Sequence, residues 1–392
     1  MSGKIAINLL SISPQNPTGS FVYIKNLLGE LVVLDRDNIY YLILDHANRF
    51  YFKNELKNYS NVKYHIVSVR RDLLLNPHRA LLKLWTKTKK DYRWRESVIR
   101  GEIQHFLDKN KVDVIFFPSG TIYPVDLKNV KTITTVFDLQ HEYFPNNFSN
   151  VYLARRKTAS TYVAHNSDRI IAISEFTKQS IVEKYGINPD KITVIYLASH
   201  KEKDGRSSLS SLPDNFIFYP AAIWPHKNHR ILIEAMNVLK FKFPDLHLVF
   251  TGVTKNKELK DELCTLTAVY GLTGRVNFLG FVSDEDVLLI YKRAKALVYP
   301  SSFEGFGIPL VEAFKFGTPV IAANNSSIGE VVGDAGILFE TNDLEMLTKN
   351  IEQILSDDLL RNDLIKRGRE RAKDFSWDAS AQKTLDIFNS LC

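Results

Sequence analysis

Cysteine is nearly absent: Cys264 and Cys392 are the only two in 392 residues. That excludes a disulfide framework and a cysteine-based zinc site, and a reducing compartment is the simple reading. Long apolar runs are missing as well. No stretch approaches the ~18 uninterrupted apolar residues of a membrane-spanning helix. The run from Ile5 to Leu10 is too short for the core of a signal peptide and reads as a buried first strand. The expected location is cytoplasmic, with any membrane contact peripheral. A strong excess of either charge is missing too. With 51 Lys+Arg against 44 Asp+Glu the formal charge is +7, a modest excess whose placement matters more than its size. What is present is ordinary: 45% hydrophobic and 24% charged residues, which argues against disorder or low complexity. A chain this long is expected to form two or three domains.

Short apolar runs rich in Val, Ile, Tyr and Phe recur. The first series is Lys4–Leu10, Tyr40–Asp45, Val62–Val69, Val112–Ser119, Lys131–Asp138, Arg169–Ser174 and Ile192–Ala198. The second is Phe216–Ala222, His247–Gly252, Val276–Gly280, Ala296–Ser301, Pro319–Ala323 and Gly336–Phe339. Segments with helical spacing separate them, such as Phe21–Leu34, where Ile24, Leu27, Leu28, Leu31 and Val32 share a face. Strand, crossover, strand, repeated, predicts parallel sheets covered by helices. The polar, Ser-rich stretch His200–Pro213 splits the series and reads as a linker. The expected organisation is an α/β pair of doubly wound domains, 1–199 and 215–376, joined by 200–214. A last helix, about 377–392, is expected to pack back on the first domain. Ligands of such sheets bind at the carboxyl ends of the strands, so a cleft between facing domains is the expected site.

The sharpest motif is Ser301-Ser-Phe-Glu304-Gly-Phe-Gly-Ile-Pro-Leu-Val-Glu312. It follows an apolar strand and precedes a helix that Pro309 is expected to open. Gly305 and Gly307 let the backbone turn and leave amides uncovered, a partly positive concavity suited to anions or sugar hydroxyls. Glu304 falls in the loop and Glu312 about one turn into the helix, where a carboxylate suits the vicinal diol of a ribose. A bare Glu-x7-Glu is also what a helix start with acidic residues looks like; the Gly-Phe-Gly-Ile-Pro-Leu core between the carboxylates favours a ligand site. Lys227, in Tyr219-Pro-Ala-Ala-Ile-Trp-Pro-His-Lys227-Asn, stands at a second strand-to-helix turn, where a cation suits a diphosphate.

Glu304-Gly-Phe-Gly-Ile-Pro-Leu-Val-Glu312 resembles the Glu-x7-Glu motif of retaining glycosyltransferases of the group-1, or GT4-like, family. Gly317-Thr-Pro-Val-Ile-Ala-Ala and Phe375-Ser-Trp-Asp resemble it too, so the likeness covers nearly the whole second half. The resemblance implies a GT-B fold of two Rossmann-like domains, with a nucleotide-sugar donor on the C-terminal one. It implies that Glu304, with Gly305 and the Phe306, Gly307 and Ile308 backbone, addresses the transferred sugar, and that Glu312 takes the ribose. It also implies that Lys227 stabilises the leaving diphosphate. The family's arginine about five residues earlier is replaced by Ala222, and His226 and Arg230 are both candidates to compensate. Gly19, in Pro14–Ser20, resembles the family's glycine loop near the donor phosphates. Where a His-Asp pair often ends a strand, this chain has Phe137-Asp138; Asp138 and the nearby His141 are candidates to contact acceptor or donor sugar. Ser174 reads better as a helix cap than as a ligand contact.

The implied activity is transfer of a hexose, with a lean to mannose or rhamnose, from a GDP-, dTDP- or UDP-linked donor. The implied acceptor is a saccharide or lipid-linked saccharide of a bacterial surface polysaccharide, lipopolysaccharide or O-antigen. Retention is expected on one face, with the leaving phosphate helping to deprotonate the acceptor and no metal or other cofactor required. Asp284-Glu-Asp286 is read as opening a helix rather than as a metal motif. The rival readings are a GT-B epimerase or phosphorylase and a non-catalytic partner subunit.

The basic excess is concentrated. Arg70 to Arg100 holds ten Lys/Arg against three acidic residues, a net +7 equal to that of the whole chain. Arg70, Arg71, Lys83, Lys89, Lys90 and Arg93 are interleaved with Trp85, Trp94 and leucines. Three readings fit: an anionic membrane surface, a polyanionic or lipid-diphosphate acceptor, or a solvated helical face. No usual nucleic-acid module is visible.

Overall fold

The structure is a computed structural model and describes residues 2–14, 19–67, 89–199, 209, 212–254 and 256–392, the side chains of 89–95 excepted. It contains two compact units. The first comprises 1–173, 177–195 and 377–392; the second comprises 174–176 and 196–376.

The first unit is built on a seven-stranded, all-parallel sheet. Its strands are β1 (Lys4–Asn8), β2 (Ile39–Leu44), β3 (Val62–Ile66), β4 (Val114–Phe117), β5 (Lys131–Val136), β6 (Arg169–Ala172) and β7 (Ile192–Val194), in spatial order β3-β2-β1-β4-β5-β6-β7. The second unit repeats the plan with six: β8 (Phe216–Pro220), β9 (His247–Thr251), β10 (Val276–Phe278), β11 (Ala296–Tyr299), β12 (Val320–Ala323) and β13 (Ile337–Phe339), in order β10-β9-β8-β11-β12-β13. Each order reverses once, between β1 and β4 and between β8 and β11. Those reversals are the switch points where doubly wound sheets open a crevice.

Burial explains why these runs are strands. Parallel sheets are covered on both faces, so inner strands read as unbroken apolar runs. The runs VIFF of β4, ALVY of β11 and VIAA of β12 are buried at every position, whereas edge strands β3 and β10 are only partly covered. The helix Gly19–Leu34 buries the expected face of Ile24, Leu27, Leu28, Leu31 and Val32. Each such side chain contributes about 1.5–3 kcal/mol on burial. The helix Trp377–Asn389 packs on the first unit: the rings of Trp377 and Tyr23 lie 6.1 Å apart, and Phe388 meets Phe116 at 5.5 Å.

The thirteen strands fall where the apolar runs lie, but most are shorter at their carboxyl ends. The run Lys131–Asp138 leaves the ladder after Val136, and Phe216–Ala222 leaves it after Pro220. The residues released, among them Asp138 and Ala222, form the loops of the candidate sites. Most of the proposed linker 200–214 lies outside the described residues, as do Arg70, Arg71, Lys83 and Trp85. Lys89, Lys90, Arg93 and Trp94 belong to the helix Lys89–Asn110, their side chains undescribed.

Candidate functional site

In the second unit, the carboxyl ends of β8 and β11 lie side by side at the switch point. After β8 the chain makes one tight turn, Pro225–Lys227, and Asn228 then takes a left-handed φ of +53° before the helix His229–Leu239. After β11 comes the loop Ser301–Gly307. The two are tied together. Ser302 donates to the His226 carbonyl from its amide (2.8 Å) and its hydroxyl (3.0 Å). The buried Tyr219 hydroxyl donates to the Lys227 carbonyl at 2.9 Å.

This bracing brings Lys227 Nζ to 2.5 Å from Glu304 Oε1, 77 residues away in sequence. The same oxygen accepts from Ser301 Oγ (2.5 Å) and from Tyr299 OH (2.8 Å). All three donors converge on Oε1, and among the described residues none bonds Oε2. The side chains of Lys227 and Glu304 are 17% and 12% exposed, so the pair is largely desolvated yet open to a ligand. Burial works to raise the Glu304 pKa. The Lys227 ammonium and the hydrogen bonds from Lys227, Ser301 and Tyr299 outweigh it and hold the carboxyl below its ordinary value. Glu304 is therefore an anion at neutral pH.

The loop itself is held from the far side. The Glu304 amide donates to Ser326 Oγ (2.9 Å), and Ser327 Oγ donates to the Glu304 and Phe306 carbonyls. Ser174, buried within this unit, donates to the Gly305 carbonyl at 2.8 Å. Gly307 has φ +101° and caps the helix Ile308–Phe316, with Pro309 in its first turn. It is this positive φ that calls for glycine, since a Cβ at Gly307 would meet only the tip of the Leu310 side chain, at 2.8 Å.

Glu312 occupies different surroundings. It is buried, receives the Tyr291 hydroxyl on Oε2 at 2.9 Å, and lines a cavity of about 260 Å³ with Ala222, Gly252, Phe281 and Pro309. Gly252 (φ +117°) presses directly on the β8 loop: a Cβ there would stand 2.7 Å from the Ala221 carbonyl. Ala222, where an arginine was expected, forms part of this wall. Arg230 does not replace it: its guanidinium pairs with Glu234 at 2.8 Å on an exposed helix face. His226 stays beside Lys227 in the turn.

The first unit carries a larger cavity, about 540 Å³, at the carboxyl ends of its strands. Gly19 and Ser20 line it from the start of the first helix, and Phe137 and Asp138 from the end of β5. Asp138 Oδ1 accepts from the Gln140 amide and from Arg156 Nη2, both at 2.9 Å. His141 departs from its expected role. It is fully buried, its Nδ1 faces Arg156 Nε at 3.4 Å, and its Nε2 faces Tyr185 and Glu142. Burial, reinforced by the Arg156 charge, lowers its pKa and keeps it neutral. As placed, His141 stands behind Arg156 and does not line the cavity.

Sequence reasoning missed Arg156, Tyr299 and Tyr291, and gave Ser301 a place in the motif but no role. Tyr299 read only as part of a strand, and Arg156 sits in a run of three basic residues that resembles a solvated helix face. The acidic spacings have structural uses. Asp284–Asp286 form the first turn of the helix Asp284–Arg293, and Asp35, of Asp35-Arg-Asp37, is bonded by Tyr40 and Asn38. No helix among the described residues is long and apolar enough to cross a membrane.

Two family models match successive parts of the chain: Glycosyltransferase Family 4 over residues 50–198 and Glycosyl transferases group 1 over 200–371. O-antigen chain mannosyltransferase B of Escherichia coli is 32% identical over 235 residues, 57% of this chain and 60% of that protein. O-antigen chain mannosyltransferase RfbU of Salmonella typhimurium is 30% identical over 238 residues, 60% of this chain and 64% of that one. The matched region thus spans less than two thirds of either relative. Anabaena Alr3699/HepE, solved in complex with UDP and glucose, superposes with a TM-score of 0.69 at 18% identity, over 99% of this chain and 100% of that one. At that identity the likeness speaks for the GT-B fold. One family model takes up within two residues of where the other ends, each on its own parallel sheet, and the chain belongs to the group-1, family-4-like glycosyltransferases.

Proposed function

We propose that the chain transfers a hexosyl group, with retention, from a nucleotide-sugar to a saccharide or lipid-linked saccharide acceptor during assembly of a surface polysaccharide. The observation that carries this reading is the Lys227–Glu304 contact at the β8/β11 switch point. It supplies a cation for a leaving diphosphate and a desolvated carboxylate beside it for the sugar. Glu312, in the adjoining cavity, is suited to accept from both hydroxyls of a ribose.

In the step proposed, the bond between the anomeric carbon and the diphosphate oxygen breaks, and the electron pair leaves with the diphosphate. An acceptor hydroxyl forms the new bond on the same face, and its proton passes to a departing phosphate oxygen. Lys227 opposes the negative charge that builds on the leaving group. Glu304 holds the donor hydroxyls through Oε2 and opposes the positive charge on the sugar ring. Its Oε1 stays fixed by Tyr299 and Ser301, so little reorganisation is needed during the reaction. Metal independence is part of the proposal. So is a cytoplasmic location, peripheral on an anionic membrane through the basic segment 70–100. The printed names of the two O-antigen relatives favour mannose as the sugar, and GDP, dTDP and UDP are the candidate carriers.

The test is a thermal shift with GDP, UDP and dTDP, followed by transfer assays with the matching sugars, with and without a chelator. The expected result is stabilisation by one nucleotide and a product of unchanged anomeric configuration, formed equally with chelator. Epimerised donor without acceptor, phosphate-dependent cleavage, or no turnover with any donor overturns the proposal.

A further inference from the structure

The chain passes between the two units at four places, 173/174, 176/177, 195/196 and 376/377. On the second-unit side, residues beside all four passages touch the loop Ser301–Gly307. Ser174 Oγ donates to the Gly305 carbonyl at 2.8 Å. The Phe176 ring meets Phe303 at 5.7 Å, and the Tyr196 ring meets Phe306 at 5.9 Å. Phe375, one residue before the last passage, stands edge to face with Phe306 at 5.6 Å. Every one of these contacts lies within the second unit.

One carboxylate gathers these segments. Glu330 Oε1 accepts from the Glu175 amide at 2.7 Å and Oε2 from the Phe176 amide at 3.1 Å, so each oxygen takes one amide. Those amides open the helix Glu175–Tyr185, where N–H groups have no partner within the helix and an anion is favoured. The Tyr196 hydroxyl donates to Glu330 as well; burial, together with that carboxylate, pushes its pKa up. The backbone of Glu330 is held in turn. Arg371 Nη2 donates to its carbonyl at 2.7 Å and Arg371 Nε to the Val331 carbonyl at 3.1 Å. Glu330 lies in the short helix Ile328–Val332, three residues after Ser327, whose hydroxyl donates to the Glu304 and Phe306 carbonyls. A single helical turn thus ties the chain passages at one end to the Glu304 loop at the other.

From this we infer that Glu330 is a positioning residue for the transfer step: by holding the Glu175 and Phe176 amides and the Tyr196 hydroxyl, its carboxylate fixes the loop that carries Glu304. The inference rests on the transferase reading and deepens it by adding a residue that acts through Glu304. The role needs both oxygens. Glutamine has the same shape but turns one acceptor into a donor, which then faces an amide N–H. Aspartate keeps both oxygens on a shorter arm. Placement matters because a carboxylate helps only where charge develops, and a shift of about 1 Å at the reacting centre is enough to cost ~10²-fold.

The first arm of the experiment is hydrogen exchange without donor, on the full chain as wild type, Glu330→Gln, Glu330→Asp and Tyr196→Phe. In Glu330→Gln, exchange is expected to be faster by roughly tenfold at the amides of 302–307 as well as at 175–176. Tyr196→Phe, which keeps the ring and loses only the hydroxyl, gives the same signs at smaller size. Exchange at 302–307 equal to wild type in Glu330→Gln overturns the inference, whether or not the chain turns over a donor. The second arm is transfer kinetics. For Glu330→Gln, kcat falls about tenfold while nucleoside diphosphate affinity stays at the wild-type value, a split that a general folding defect does not produce. Glu330→Asp recovers part of kcat. In a Glu304→Gln background the further loss from Glu330→Gln is under about twofold, because the two residues act as a unit. A loss that multiplies in full onto that of Glu304→Gln, or a wild-type kcat in Glu330→Gln, overturns the inference and leaves the transferase reading standing. Faster exchange at 302–307 in a chain whose wild type turns over no donor overturns the transferase reading and leaves the link between Glu330 and the loop.

Discussion

His229 makes the second unit acid-sensitive by an amount that follows from its surroundings. The side chain is 3% exposed, between the rings of Tyr219 (4.9 Å) and Phe250 (5.0 Å). Its Nε2 donates to the Ala221 carbonyl at 3.2 Å, and among the described residues nothing accepts from Nδ1. A second proton would therefore sit on a buried nitrogen with no acceptor. Burial, with the nearby Lys227 and His226 charges adding to it, pushes the pKa down from 6.5 to about 4. The unfolded chain takes the proton first, near pH 6.5. Stability from this group is complete above that pH and is lost as pH falls to about 4, a change of about 3 kcal/mol. The assay is urea unfolding at stepped pH, with hydrogen exchange followed at the β8 and His229–Leu239 amides, on wild type and His229→Gln. Glutamine keeps a donor for Ala221 and does not titrate, so the variant loses about 3 kcal/mol less than wild type between pH 7 and 4. Parallel curves for the two proteins refute the reasoning.

Glu312→Ala removes a buried anionic acceptor from the smaller cavity; nucleoside diphosphate affinity falls roughly 10–100-fold, and an unchanged Kd by calorimetry contradicts the assignment. Gly252→Ala places a Cβ 2.7 Å from the Ala221 carbonyl at φ +117°, so it destabilises by about 1–3 kcal/mol and weakens nucleotide binding. A Tm equal to wild type would show that the loop yields freely. Flotation with anionic liposomes tests the basic segment 70–100: binding that fades with salt is expected, and salt-independent binding or none ends the membrane reading.

The parallel sheets were legible because inner strands, covered on both faces, are almost wholly apolar. The loops were legible through glycine and charge, as at Gly305, Gly307 and Lys227. What the sequence does not carry is which loops meet. Lys227 touches Glu304 because β8 and β11 are neighbours at the switch point, a property of strand order. For the same reason Tyr299 and the role of Ser301 were hidden, since their hydroxyls matter only once Glu304 folds back on them. His141 was misplaced because a four-residue helix, Gln140–Tyr143, gives no periodicity from which to tell an inward face from an outward one. The Arg230–Glu234 pair is the opposite case, with an i,i+4 spacing that already marks a solvated ion pair.

In the proposed reaction the Glu304 carboxylate, fixed by Lys227, Tyr299 and Ser301, acts on the sugar as it is transferred. Single-turnover transfer by Glu304→Gln, with donor binding measured in parallel, tests it most directly. The expected rate is lower by about 10²–10³-fold with a donor nucleotide still bound, because the amide keeps the volume and loses the charge. A folded, nucleotide-binding Glu304→Gln protein that transfers at the wild-type rate contradicts it.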